Sequence, residues 1–315
     1  MISSGHPRGS ATKTEVIDLK NNNVTCEDLQ DFSLEISNAV GANLASWPII
    51  CGGIFNDGST SDKCFIYMEG GWQHFVTMIN RRSFTAGIVY DNAFHIFGGY
   101  DKDTSTTLQS SEIVNKDGSS MEGPQLPTPI QRHAIASINA TVSIITGGTD
   151  TNSNQTWYFN HASQEFQRGP DLLEDRWYHS SATITDQETK EKIVIVAGGY
   201  DGNFMDTTEI LSNGEWVAGI NHKQFLYLSN YKALSFLKLG PALPKGLFSH
   251  SMVEIGENLY AIGGYSADGF YHQNEIQKLT CVSGACSWTT LTQQLKVRRG
   301  DAVAIPIMDS FCTPN

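Results

Sequence analysis

Apolar runs that end in two small residues recur along this chain: ISSGH at 2–6, IICGGI at 49–54, IFGGYD at 96–101, IITGGTD at 144–150, IVAGGYD at 195–201 and AIGGYS at 261–266. The second small residue of each is Gly5, Gly53, Gly99, Gly148, Gly199 and Gly264, so the intervals run from 46 to 51 residues until a last one of 65. A period of about fifty residues marks an array of supersecondary units, each unable to bury its own apolar face and obliged to stack on its neighbours.

Within one period the apolar positions come in short runs. Phe84 to Gly99 holds two of them, divided by the turn dipeptide Asp91-Asn92, and a second pair follows the glycines after a polar loop. Each period therefore predicts four strands. Outside 220–240 no stretch keeps a capped helical period of about 3.6 residues, so helix is expected almost nowhere else. Four-stranded units repeated about an axis are propeller blades, and closing the ring removes exposed sheet edges. Arg298 to Val303 reads as the opening strand of a blade, yet the chain stops at Asn315, while the N-terminus enters at Ile2, where a second strand belongs. The expected fold is all-β: a six-bladed propeller in one domain over 1–315, four antiparallel strands per blade, with the first blade closed by the C-terminal strand. Entry in mid-blade leaves room for a leader upstream of this sequence.

Further motifs accompany the glycines. Glu15, Glu112, Glu209 and Glu275 fall in third strands, and Trp72, Trp216 and Trp288 in fourth strands, with Met121 and Phe166 as apolar substitutes. A Pro-rich turn and an Arg then open the next unit, as in GPQLPTPIQR at 123–132, GPDLLEDR at 169–176, Arg81-Arg82 and Arg298-Arg299. In these elements nearly the whole chain resembles the kelch family. The resemblance implies a non-enzymatic propeller that binds a protein through loops on one face. It places there the residue after the double glycine and the Arg that opens the next blade: Tyr100, Tyr200 and Tyr265, with Arg82, Arg132, Arg176 and Arg299. Ile54 and Thr149 interrupt the Tyr pattern. The competing reading is structural, with the Arg side chains bridging blades and the Tyr rings packing loops.

The long last interval has a local cause. Between Trp216 and Pro241 the text EWVAGPALP would match GPQLP and GPDLL, but INHKQFLYLSNYKALSFLKLG at 220–240 is inserted. Nothing turn-like organises the segment. It reads as a retained intron or gene-model error, with a genuine loop or short helix as the alternative.

Composition narrows the function. With 33 acidic against 21 basic residues the formal charge is −12, which repels nucleic acid and anionic membranes at long range. No apolar stretch reaches the roughly 18 residues of a membrane span. Six cysteines pair readily on this layout: Cys281 with Cys286 across a hairpin, Cys51 with Cys64 on neighbouring strands, and Cys26 with Cys312 in the blade shared by the termini. Disulfides imply an oxidising compartment, and the sequons at Asn23, Asn139 and Asn154 point the same way. The chain is therefore expected to be secreted or extracellular, with a cytoplasmic location and free thiols as the alternative.

Candidate chemistry is sparse. His133, His179 and His250 recur just after the Arg place in successive units, a position suited to packing against the blade. No CxxC pair, phosphate loop, nucleophile elbow or paired-histidine zinc motif occurs. No cofactor or metal is expected, and the chain is expected to be a monomer. Arg299-Gly300-Asp301 spells the cell-adhesion tripeptide, but it occupies a strand-opening Arg place and reads as coincidence. The alternative function is a propeller enzyme of the sugar-epimerase or copper-radical-oxidase kind, with Arg176 and His179 as first suspects.

Overall fold

The computed structural model describes residues 1–6, 12–19, 29–149, 153–218, 241–266 and 272–307. Among them lie five four-stranded antiparallel meanders, the blades of a β-propeller, and no helix. Sheet one is Val40–Leu44, Trp47–Cys51, Lys63–Met68 and Gly71–Thr77. Sheet two is Ala86–Tyr90, Ala93–Phe97, Ser111–Asn115 and Ser120–Glu122. Sheet three is Ala134–Ser137, Val142–Thr146, Thr156–Asn160 and Glu165–Arg168, and sheet four is Ser180–Thr185, Lys192–Ala197, Thr208–Ser212 and Glu215–Ala218. Sheet five is Ser251–Ile255, Asn258–Ile262, Glu275–Val282 and Ala285–Gln294. The chain divides into two compact units: sheets one and two with both chain ends, and sheets three to five. The 220–240 insertion lies outside the described residues.

The blade count corrects the expectation of six. Where a sixth four-stranded sheet was expected, the described residues hold a two-residue ladder, Ile2–Ser3 against Val303–Ala304, and single bridges from Ile2 to Glu15 and from His6 to Gly300. The two ends of the chain do meet, but among the described residues they pair over two residues a side, against second strands of five or six residues in the five sheets.

The apolar runs before each glycine pair become second strands because those strands are covered on both faces. Pro48 to Cys51 and Ala93 to Phe97 are buried throughout, while the fourth strand Ala285–Gln294 alternates between exposed and half-buried positions. Within the first unit, Ile49 and Cys51 of sheet one pack with Phe94 and Ile96 of sheet two. Within the second, Ile193 and Ile195 of sheet four pack with Leu259 and Ala261 of sheet five, while Val194 and Val196 on the opposite face meet Ile144 of sheet three. Fully burying one such side chain contributes about 2 kcal/mol.

The glycine pairs join one blade to the next. The N–H of Gly53 donates to the Arg82 carbonyl at 2.8 Å, Gly148 to Arg176 at 3.0 Å, Gly99 to Ile130 at 2.8 Å and Gly199 to Leu247 at 2.8 Å. A Cβ on Gly52 would sit 2.3 Å from the Arg82 carbonyl oxygen, and its φ is +68°, so both space and backbone demand glycine. Fourth-strand tryptophans add a second link: Trp216 Nε1 donates to the Pro170 carbonyl at 3.0 Å and Trp288 Nε1 to the Pro241 carbonyl at 3.1 Å.

Two disulfides are formed among the described residues. Cys51–Cys64 joins the second and third strands of sheet one, and Cys281–Cys286 closes the hairpin of sheet five. Cys26 and Cys312 lie outside the described residues.

Candidate functional site

The arginines come first because their places settle what they can do. Arg82, Arg176 and Arg299 are at most 1% exposed. Each crosses its own repeat to a carboxylate, on a third strand for Glu112 and Glu209 and at a single bridge for Glu15: Arg82 Nη2 to Glu112 Oε2 at 3.3 Å, Arg176 Nη2 to Glu209 Oε1 at 2.8 Å, Arg299 Nη2 to Glu15 Oε1 at 2.7 Å. The other η nitrogen donates to carbonyls at the small-residue pair, Gly98, Gly198 and Ser4. The carboxylates in turn accept backbone N–H groups of the preceding turn, Ile79 at 2.6 Å on Glu112, Leu173 at 2.7 Å on Glu209 and Lys296 at 2.6 Å on Glu15. Burial pushes the Glu209 carboxyl up and Arg176 pulls it back. Burial likewise lowers the Arg82 and Arg299 guanidinium groups against the opposing pull of Glu112 and Glu15. These three arginines are interior structural groups and offer no side-chain surface to a partner.

Register shows that the pair is inherited as a unit. The residue two before the first glycine faces the third-strand position in question: Ile96 faces Glu112, Val196 faces Glu209, and Ile2 bridges Glu15. In sheet one Ile50 faces Phe65, in sheet three Ile145 faces Trp157, and in sheet five Ala261 faces Gln277. The matching opening positions are Ile36, Ile130 and Leu247, whose carbonyls accept from Gly5, Gly99 and Gly199. Buried Arg and buried Glu thus occur together or not at all, as the cost of an unpaired interior charge requires. Glu275 stands two residues out of this register and instead pairs with Lys245 at 2.5 Å.

Arg132 is out of register as well. Its place is that of Phe84, Tyr178 and Ser249, all with left-handed backbone, and its N–H donates to the Phe84 carbonyl at 2.8 Å. Its guanidinium lies half-buried over the Phe84 ring, 5.3 Å from the centroid.

The residue after the double glycine bridges the residue just after the opening position: Tyr100 to Ser83, Tyr200 to Trp177, Tyr265 to Phe248, and Ile54 to Ser37. In the second unit both partners are aromatic, and a cluster builds up around Phe248. Tyr265 stacks on it at 4.9 Å and 13°, with Phe204 at 5.2 Å, Tyr178 at 5.7 Å and Tyr200 at 5.9 Å. Trp177 extends the cluster edge-on to Tyr200 at 5.8 Å. All six rings are half-buried. Two of the three expected tyrosines are therefore brought together, while Tyr100 belongs to the other unit, opposite Ser83. Trp177 and Phe248 escaped the sequence reading, although their signal was present: an aromatic immediately after the opening position.

Exposed carboxylates edge these loops. Asp175 stands two residues before Trp177 and accepts from Ser153 Oγ at 2.9 Å; Asp201 follows Tyr200 and accepts from the Asn203 N–H at 2.8 Å; Asp206 lies two residues past Phe204.

The histidines are packing groups. His133, His179 and His250 are buried, and the Cε1 atoms of His179 and His250 lie 2.6 and 3.0 Å from where Gly147 and Gly198 would carry a Cβ. His179 Nε2 meets Thr146 Oγ1 at 2.9 Å. Burial pushes the His250 imidazole down to about 4, and that of His179 well below its ordinary value, with Arg176 adding to the effect. Among the described residues no three His, Cys, Asp or Glu side chains are grouped to hold a metal ion. In the first unit a cavity of about 220 Å³ is lined by His6, Glu35, Ile54, Phe55 and Lys102. No described helix is long and apolar enough to cross a membrane.

No family model matches the chain, and no curated protein matches it in sequence. In structure it is similar to a solved structure of YjhT, with a TM-score of 0.66 over 83% of this chain and 86% of that one, at 11% identity. Likeness at that identity shows the β-propeller fold and carries nothing about chemistry.

Proposed function

We propose that the chain is a kelch-type propeller that binds a protein partner, performs no chemistry, and works outside the cell. The aromatic cluster around Phe248 carries the reading. Half-buried Tyr, Trp and Phe side chains supply contact area with little ordering cost, and Tyr and Trp are enriched where interface energy concentrates. Arg176 and His179, the first suspects for an enzyme, are bonded inside the blade to Glu209 and Thr146 and lend that alternative no support.

The extracellular assignment rests on the disulfides Cys51–Cys64 and Cys281–Cys286, since such bonds persist in oxidising compartments. Asn139 sits exposed in the turn between Ala134–Ser137 and Val142–Thr146, accessible to a glycosylating enzyme. Asn23 lies outside the described residues, and the Asn154 sequon is less accessible because Thr156 is buried against the Pro170 carbonyl.

The test is affinity capture with the full chain against a chain carrying Phe248→Leu and Tyr265→Ala, both checked by circular dichroism. Loss of the captured proteins in the variant supports the reading; identical retention removes this face.

A further inference from the structure

We propose that the aromatic cluster takes an arginine-bearing, extended segment of the partner protein. The inference rests on the binding reading above and names its chemistry. Stacked and edge-on rings present negative π faces, and a guanidinium within about 6 Å of such a face is attracted to it. Asp175, Asp201 and Asp206 are exposed on the loops that carry Trp177, Tyr200 and Phe204, so cationic character is favoured at the rim as well as over the rings. Nearby basic groups do not cancel this: Arg176 is buried against Glu209, and Lys245 is held by Glu275 at 2.5 Å. The −12 formal charge of the chain steers a basic segment inward and an acidic one away. Arginine is favoured over lysine because its planar group both stacks on rings and forks onto carboxylates.

The experiment uses the full chain and three fluorescein-labelled peptides of equal length, built from Arg-Gly-Ser, Glu-Gly-Ser and Gly-Ser repeats, titrated by anisotropy at low and high salt. Two variants accompany it. Asp175→Asn/Asp201→Asn/Asp206→Asn keeps the acceptor atoms at exposed positions, and Phe248→Leu keeps an apolar side chain in the cluster. Preferential binding of the arginine peptide, weakened about tenfold by the triple variant and by high salt and weakened again by Phe248→Leu, supports the proposal. Equal binding of the Glu or Gly-Ser peptide, lost in Phe248→Leu, overturns the arginine assignment while the face itself stands. Arginine-peptide binding that ignores both variants overturns the site. If the arginine peptide does not bind, the assignment falls, and the capture comparison above decides separately whether the binding face survives.

Discussion

Replacing Arg82 by Leu removes a cation that is 0% exposed and leaves Glu112, also 0% exposed, without its counter-charge. The Gly98 and Ser110 carbonyls lose their donors at 2.7 and 3.2 Å in the same step. Breaking a buried pair from one side costs about 4 kcal/mol, and Glu112→Leu is expected to cost about the same, because Ile79, Asn80 and Ser120 lose their acceptor. The double substitution should cost about 5 kcal/mol rather than 8, a coupling of about 3 kcal/mol, because no unpaired interior charge remains. Urea unfolding followed by tryptophan fluorescence measures each value at constant slope. Arg132→Leu is the comparison: its guanidinium is only half-buried, over the Phe84 ring, and its loss should cost less than that of Arg82. Additive single losses, or an Arg82→Leu cost as small as that of Arg132→Leu, would refute the claim that the charges belong together.

Three further outcomes follow from the same geometry. Gly52→Ala forces a Cβ to 2.3 Å from the Arg82 carbonyl at φ +68°, and should lower the urea midpoint more than Gly70→Ala, where φ is +83° but nothing lies within 4 Å. Reducing Cys51–Cys64, or replacing both residues by Ala, opens a link of sequence separation 13 and should remove about 3 kcal/mol, more than loss of Cys281–Cys286 at separation 5. His250, held neutral with its pKa near 4 by burial, gives up stability on acidification: the unfolded chain gains a proton below about pH 6.5, so the contribution is present above that and is lost toward about pH 4. It amounts to no more than about 3 kcal/mol. Comparing thermal midpoints of wild type and His250→Gln across that range checks it, and identical acid sensitivity would dismiss the idea.

Much was legible from local chemistry. Alternating runs and glycine pairs specify four-stranded units because strand periodicity and left-handed backbone are properties of a few neighbouring residues, and Gly52-Gly53 and Gly98-Gly99 do what their spacing implied. The cross-strand positions of Cys51 with Cys64, and of Cys281 with Cys286, follow equally from meander order. Other features depended on register, which spacing in the chain reports only to within a residue or two. Arg132 resembled Arg82 in its motif, yet stands two places later over Phe84, and Glu275 resembled Glu209 while Gln277 holds that place. The expected sixth blade resolves among the described residues into a two-residue ladder and bridges, because pairing at the chain ends depends on which residues reach across and not on the motif alone. Whether Arg82, Arg176 and Arg299 face solvent or a carboxylate was likewise a tertiary matter: burial is set by what packs over a side chain, and Glu112, Glu209 and Glu15 arrive there from strands tens of residues away or from the opposite terminus. The aromatic cluster arises in the same way, since Phe248, which the bridging of one blade to the next delivers, lies against both Tyr200 and Tyr265.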